Sequence, residues 1–153
     1  MQIERGRKDS VREAPRWDTT TAFGQRVERY LAERQIIWLI TTGDNGAPQP
    51  SPVWFLHEGD TLLIYSKPSA PKVRNIQARP AVALHFDSDP HGNDVVILHG
   101  TAALDPAAPR GDKHPAYVEK YRGGIDSLGQ SPDAFAETYA AALRVTLTKV
   151  RGW

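Results

Sequence analysis

The sequence predicts an α+β fold, a barrel of six mostly antiparallel strands with a few peripheral helices. Three observations lead there. Runs of β-branched and aromatic residues of strand length recur, and most are separated by reversing turns. Segments of helical period sit near the start and late in the chain, without the regular strand–helix alternation of a doubly wound sheet. No internal repeat or low-complexity block is present.

In chain order, residues 1–18 hold clustered charges and few large apolar groups, and read as a flexible N-terminal arm ahead of a single domain over 19–153. Phe23, Val27, Tyr30, Leu31 and Arg34 fall at helical spacing, with Thr19 or Thr20 as N-cap. IIWLITT, Ile36 to Thr42, reads as the first strand, and Asp44-Asn45-Gly46 reverses it. The second strand is expected from Pro48 to His57. Its alternating Pro48, Pro50 and Pro52 remove N–H donors from one side and imply an edge, a bulge or a ligand-facing strand.

Glu58-Gly59-Asp60 turns the chain into TLLIYSK. A short helix starting at Pro71 follows, then AVALHFD and DVVILHGTAAL across the polar loop SDPHGN. His114 to Arg122 and Ser131 to Ala141 read as two helices, the second with Ser131 as N-cap and Pro132 as its first residue. YRGGIDSLG between them reads as a loop, in which Asp126 could border a substrate. Leu143 to Val150 is the closing strand.

Composition excludes whole classes of function. Nineteen Lys and Arg against eighteen Asp and Glu give a net charge of +1, without the global field that draws a protein to nucleic acid. With no cysteine, thiol nucleophiles, disulfides and cysteine metal sites are excluded, and the cytoplasm is the expected compartment. No apolar run approaches the ~20 residues of a membrane-spanning helix.

SKPSAPKVRNIQARP, Ser66 to Pro80, carries Lys67, Lys72, Arg74 and Arg79 without a carboxylate. A helix beginning at Pro71 would add unpaired N–H donors and a favourable dipole, so with Ser66 and Ser69 the segment suits a phosphate. A solvated helix with ordinary surface cations, buried on Val73 and Ile76, fits the same residues.

Chain order separates the two. A turn-linked hairpin, a proline-broken strand ending in Val53-Trp54-Phe55, TLLIYSK and the basic helix together resemble the pyridoxamine 5'-phosphate oxidase-like split-barrel flavin and deazaflavin oxidoreductases, especially their F-420-dependent branch. The resemblance covers Ile36 to Leu104, and the closing Arg-Gly-Trp of ALRVTLTKVRGW is similar to that branch. It implies an FMN-binding split-barrel type of fold and a homodimer with the cofactor at the subunit interface. It also implies that Ser51, Pro52, Val53 and Trp54 lie along the cofactor ring, while Ser66, Lys67, Lys72 and Asn75 hold its phosphate or tail. Arg74 and Tyr65 complete the expected set. Relatives carry a basic residue just before the Lys72 position, where this chain has Ala70-Pro71, which weakens the tail contacts or shifts them to Lys67.

The implied function is coenzyme F-420-dependent hydride transfer between the deazaflavin and an electron-poor organic substrate. The alternatives are an FMN-dependent oxidoreductase of the same fold and a non-catalytic dimer that binds a cofactor or tetrapyrrole. No catalytic acid declares itself; the proton comes from water, Tyr65 or the partner chain.

Other constellations carry less. His57, His85, His91, His99 and His114 show no zinc spacing. DSDPHGND starts like a calcium loop, but Leu98 stands where its glutamate belongs. No Gly-x-Ser-x-Gly elbow or Walker loop occurs. Trp38 is expected in the core, and Trp54 either there or facing a cofactor.

Overall fold

The computed structural model describes residues 17–153; the arm expected over 1–18 lies outside these except for its last two residues. Trp17 packs against the main core and donates its indole N–H to Glu28. The elements are α1 (Ala22–Glu33), β1 (Ile37–Thr42), β2 (Pro48–Val53), β3 (Leu56–Glu58), β4 (Thr61–Ser66), α2 (Pro71–Ala78), β5 (Ala81–His85), β6 (Val96–Leu104), α3 (Pro115–Ser127), α4 (Pro132–Thr138) and β7 (Ala141–Gly152). A single 3-10 turn, Gly111–Lys113, precedes α3.

All seven strands form one antiparallel sheet in the order β2-β1-β5-β6-β7-β4-β3. Seven replace the six expected because the strand anticipated from Pro48 to His57 breaks at Trp54-Phe55. That break closes the architecture. A flat sheet would hold its two edges about 29 Å apart, at six spacings of about 4.8 Å, whereas Val53 and Leu56 are joined by three residue steps of at most about 11 Å. The sheet therefore curls until β2 and β3 meet at a split seam.

The prolines explain why β2 lies at the edge. Pro48, Pro50 and Pro52 pair with Thr42, Ile40 and Trp38, so ladder donation is left to Gln49, Ser51 and Val53. The free side lacks N–H groups at those proline positions, which blocks further strand addition.

Val27 and Leu31 of α1, Leu39, Leu62, Ile64, Leu98 and Val145 of the strands, and Val73 and Ile76 of α2 share one core. On β4 both faces are covered: Leu62 and Ile64 enter that core, while Leu63 and Tyr65 join Tyr117, Tyr121, Ile125 and Phe135 in a second, aromatic cluster beneath α3 and α4. A strand buried on both sides reads as the continuous apolar run LLIY.

Several local expectations shift. Thr21 caps α1, its hydroxyl accepting from Gly24 N at 3.0 Å, in place of Thr19 or Thr20. Helix α3 continues through Gly123 and Gly124 to Ser127, so YRGGIDSLG is mostly helical and Asp126 lies in its exposed last turn. Trp38 is half-buried outside the core, stacked on His85 at 6.2 Å with its indole donating to Asp87, because β1 turns Ile37, Leu39 and Thr41 inward. In the SDPHGN loop the Asp89 carboxylate accepts the N–H groups of His91 and Asn93, as a turn requires. A bulge at His99/Gly100 lets β6 cross β7 where any Cβ on Gly100 would strike the Thr146 carbonyl.

Candidate functional site

The curl brings the seam, the end of β4 and the start of α2 to one place, where α3 and α4 overhang them. There a cleft of about 310 Å3 opens, within the size range of small-molecule sites. Pro52, Val53 and Trp54 come from the seam, Tyr65, Ser66 and Lys67 from β4 and its exit, Ala70 and Lys72 from the entry to α2. Tyr117, Leu128, Phe135 and Tyr139 complete it from the helical side.

Seven of the ten expected residues thus converge on one cavity: Pro52, Val53, Trp54, Tyr65, Ser66, Lys67 and Lys72. Ser51, Arg74 and Asn75 do not line it. Ser51 sits in the β2 ladder opposite Leu39. Arg74 is exposed and, among the described residues, reaches only the Ser69 carbonyl, at 3.5 Å. Asn75 is buried and donates its amide N–H groups to Thr41 Oγ1 at 3.0 Å and Gln49 Oε1 at 2.8 Å. It ties α2 to the hairpin.

The charge balance at the mouth is uneven. Among the described residues, neither Lys67 nor Lys72 has an ion-pair partner. Lys72 is half-buried, and desolvation lowers its pKa. An incoming anion would offset the cost of that desolvation by pairing with the ammonium. Lys67 is exposed, with Nζ 5.7 Å from the Tyr139 ring centroid. Helix α2 starts at Pro71 without a side-chain cap, leaving its first amides unsatisfied by side chains.

Aromatic packing fixes the walls. The Trp54 ring stacks on Tyr121 at 4.6 Å and 6°, and on Phe135 at 5.4 Å. Gly124 of α3 makes room for it, since a Cβ there would lie 2.9 Å from the indole. Tyr65 meets Tyr117 edge-on at 4.8 Å and donates its hydroxyl to the Pro109 carbonyl. Burial, reinforced by the nearby Glu58 charge, pushes the Tyr65 phenol up to about 12, so it is a weak acid at neutral pH with its proton already engaged.

Sequence reasoning missed Tyr117, Leu128, Phe135 and Tyr139. They belong to late helices whose docking site was unknown, although Tyr117, Tyr121 and Ile125 repeat every four residues and mark a buried stripe.

A second cleft, of about 600 Å3, shares the Tyr65 and Tyr139 walls and is lined otherwise by residues such as Leu104, Pro106, Arg110 and Ala140. Its charges are largely neutralised: Arg110 pairs with Asp112 and Asp133, and Asp105 with Arg144. The smaller cleft is the stronger candidate for an anionic ligand. Among the described residues no three His, Asp or Glu side chains gather as a metal site, and no helix is long and apolar enough to cross a membrane.

Comparison with solved structures places this geometry. The chain is similar to an F420 reductase, with 26% identity and a TM-score of 0.64 over 81% of this chain and 94% of that one. It is also similar to a Listeria innocua protein named as a candidate pyridoxamine 5'-phosphate oxidase, at 18% identity and a TM-score of 0.63 over 83% and 94%. The Vibrio cholerae heme storage protein HutZ shares the fold at 14% identity and a TM-score of 0.60, over 86% and 95%. No curated protein matches the sequence. The family model described as pyridoxamine 5'-phosphate oxidase matches residues 23–153, the whole sheet and all the helices but the first residue of α1. On that match and the split seven-stranded sheet, the chain belongs to the pyridoxamine 5'-phosphate oxidase family.

Proposed function

We propose that the chain is an F-420-dependent oxidoreductase acting on an electron-poor organic substrate, with the seam cleft as its cofactor site. The carrying observation is the half-buried, carboxylate-free Lys72 beside Lys67 at the mouth of an aromatic-walled cleft. That donor set fits a planar group with an anionic end. The 26% identity to an F420 reductase supports the same choice.

In this reading Lys72, Lys67 and Ser66 hold the phosphate or carboxylate end, with the α2 amides beside them, and Pro52, Val53 and Trp54 set the plane of the ring. Arg74 reaches a longer tail from outside the cleft, and Ser51 and Asn75 act by fixing the strand and helix that carry the contacts. A deazaflavin held there would supply hydride chemistry, while the seam residues orient its ring and exclude water. Tyr65 holds its proton against Pro109 and is assigned to the wall rather than to proton transfer.

The partner is a second copy of the chain. The outer face of the sheet carries Trp38, Ile40, Ala83 and Ile97, half-exposed and apolar, which supports a homodimer.

Titration of the purified protein with F-420 and with FMN, followed by fluorescence, tests the reading. Micromolar or tighter F-420 binding with weaker FMN binding is expected. Preference for FMN, or failure to bind either, overturns it.

A further inference from the structure

Tyr117 combines two properties that its packing does not explain. Its ring lines the seam cleft, and its hydroxyl, closed off from solvent in a residue only 1% exposed, has no hydrogen-bond partner among the described residues. The other buried phenols of that cluster are engaged: Tyr65 donates to Pro109, and Tyr121 is bonded to Gln35 and Phe55. Leaving a buried polar group unmade is costly, so a phenylalanine would serve the aromatic packing better. Tyr117 meets Tyr65 at 4.8 Å, Tyr121 at 4.9 Å and Phe135 at 6.3 Å, contacts made by the ring alone.

We infer that the Tyr117 hydroxyl is a hydrogen-bond donor reserved for an uncharged oxygen acceptor, a ring carbonyl or nitro group, on a planar molecule that enters the seam cleft. The inference rests on the cleft being a ligand site, as proposed above, but not on which cofactor fills it. Burial drives the phenol pKa strongly upward, so the group stays a neutral donor throughout the usable pH range. Its ring packs against the rings of Tyr65, Tyr121 and Phe135, and such apolar surroundings favour a neutral acceptor over a carboxylate.

The test uses the ligand-free protein and two small probes of one shape, 1-indanone and indane, which differ by a carbonyl oxygen. Binding is followed through the indole N–H signal of Trp54 by NMR, for the wild type and for Tyr117→Phe. The wild type should bind 1-indanone about tenfold more tightly than indane, and Tyr117→Phe should bind the two alike while melting no lower than the wild type. A wild type without preference, or a variant that keeps it, overturns the inference. A lower melting temperature for Tyr117→Phe would also overturn it, because it would reveal an internal partner for the hydroxyl. Because neither probe is a cofactor, failure to take up F-420 sinks the proposed function without changing these outcomes.

Discussion

The hydroxyl of Tyr121 lies 2.8 Å from the amide nitrogen of Phe55 and 2.7 Å from the carbonyl oxygen of Gln35. One phenol on α3 thus satisfies backbone at the β2–β3 break and at the chain entering β1. Both groups lie where no strand partner reaches them.

Tyr121→Phe should therefore lower stability by about 1–3 kcal/mol, the range for buried backbone groups left unpaired. Urea unfolding measures it. A loss under about 0.5 kcal/mol would mean that the seam holds without this phenol.

Neighbouring glycines of α3 should respond with opposite signs. Gly123 has nothing within 4 Å of a Cβ, so Gly123→Ala should stabilise by about 0.5–1 kcal/mol through helix propensity. At Gly124 the new methyl meets the Trp54 ring at 2.9 Å, and that ring is stacked on Tyr121 and Phe135. Gly124→Ala should destabilise by about 1–2 kcal/mol net and shift Trp54 fluorescence. Equal melting temperatures for the two variants would contradict the packing described.

Lys120 provides a pH signature. Its Nζ donates to the Phe55 carbonyl at 2.8 Å and lies 3.7 Å from the Phe55 ring centroid, and burial lowers its pKa to about 8. The unfolded chain holds this proton to near pH 10.4, so between about 8 and 10 the unfolded state binds more protons and stability rises with pH. Discounted for the exposed part of the side chain, the gain is about 1 kcal/mol. Lys120→Met should lose the slope between pH 7.5 and 9.5 in urea unfolding; an unchanged slope assigns it to another group.

Lys72 and Asn75 should separate binding from stability. Lys72→Ala should weaken F-420 binding about tenfold or more and leave the melting temperature unchanged or slightly higher, since it removes a desolvated ammonium without a partner. Asn75→Ala should cost about 1–2 kcal/mol of stability by freeing Thr41 and Gln49. Calorimetric titration and thermal melts on both variants distinguish the roles, and undiminished F-420 affinity in Lys72→Ala removes that residue from the site.

Much of this was legible in residue pattern. TLLIYSK read as a strand, Pro48, Pro50 and Pro52 read as an edge, a bulge or a ligand-facing strand, of which the sheet realises the edge, and the carboxylate-free stretch read as suited to a phosphate, with Ser66, Lys67 and Lys72 found lining the cleft. What escaped was set by distant packing. Trp54 and Phe55 are good strand formers, so nothing local marked the break; it arises because Phe55 enters the barrel while Trp54 stacks under α3. The Gly123-Gly124 pair signalled a loop because each glycine costs a helix about 1 kcal/mol, yet the approach of Trp54 requires a residue without a Cβ. The tie from Asn75 to Thr41 and Gln49 could not be read locally, because both partners are far away in sequence.

The position of β7 between β6 and β4 has a consequence for biosynthesis. Every other strand is made before it, yet neither β4 nor β6 has a neighbour on that side until Ala141–Gly152 leaves the ribosome tunnel. The nascent polypeptide consequently exposes two unzipped ladders from the completion of β6 until β7 emerges, a vulnerability to misassembly that chaperone occupancy would relieve.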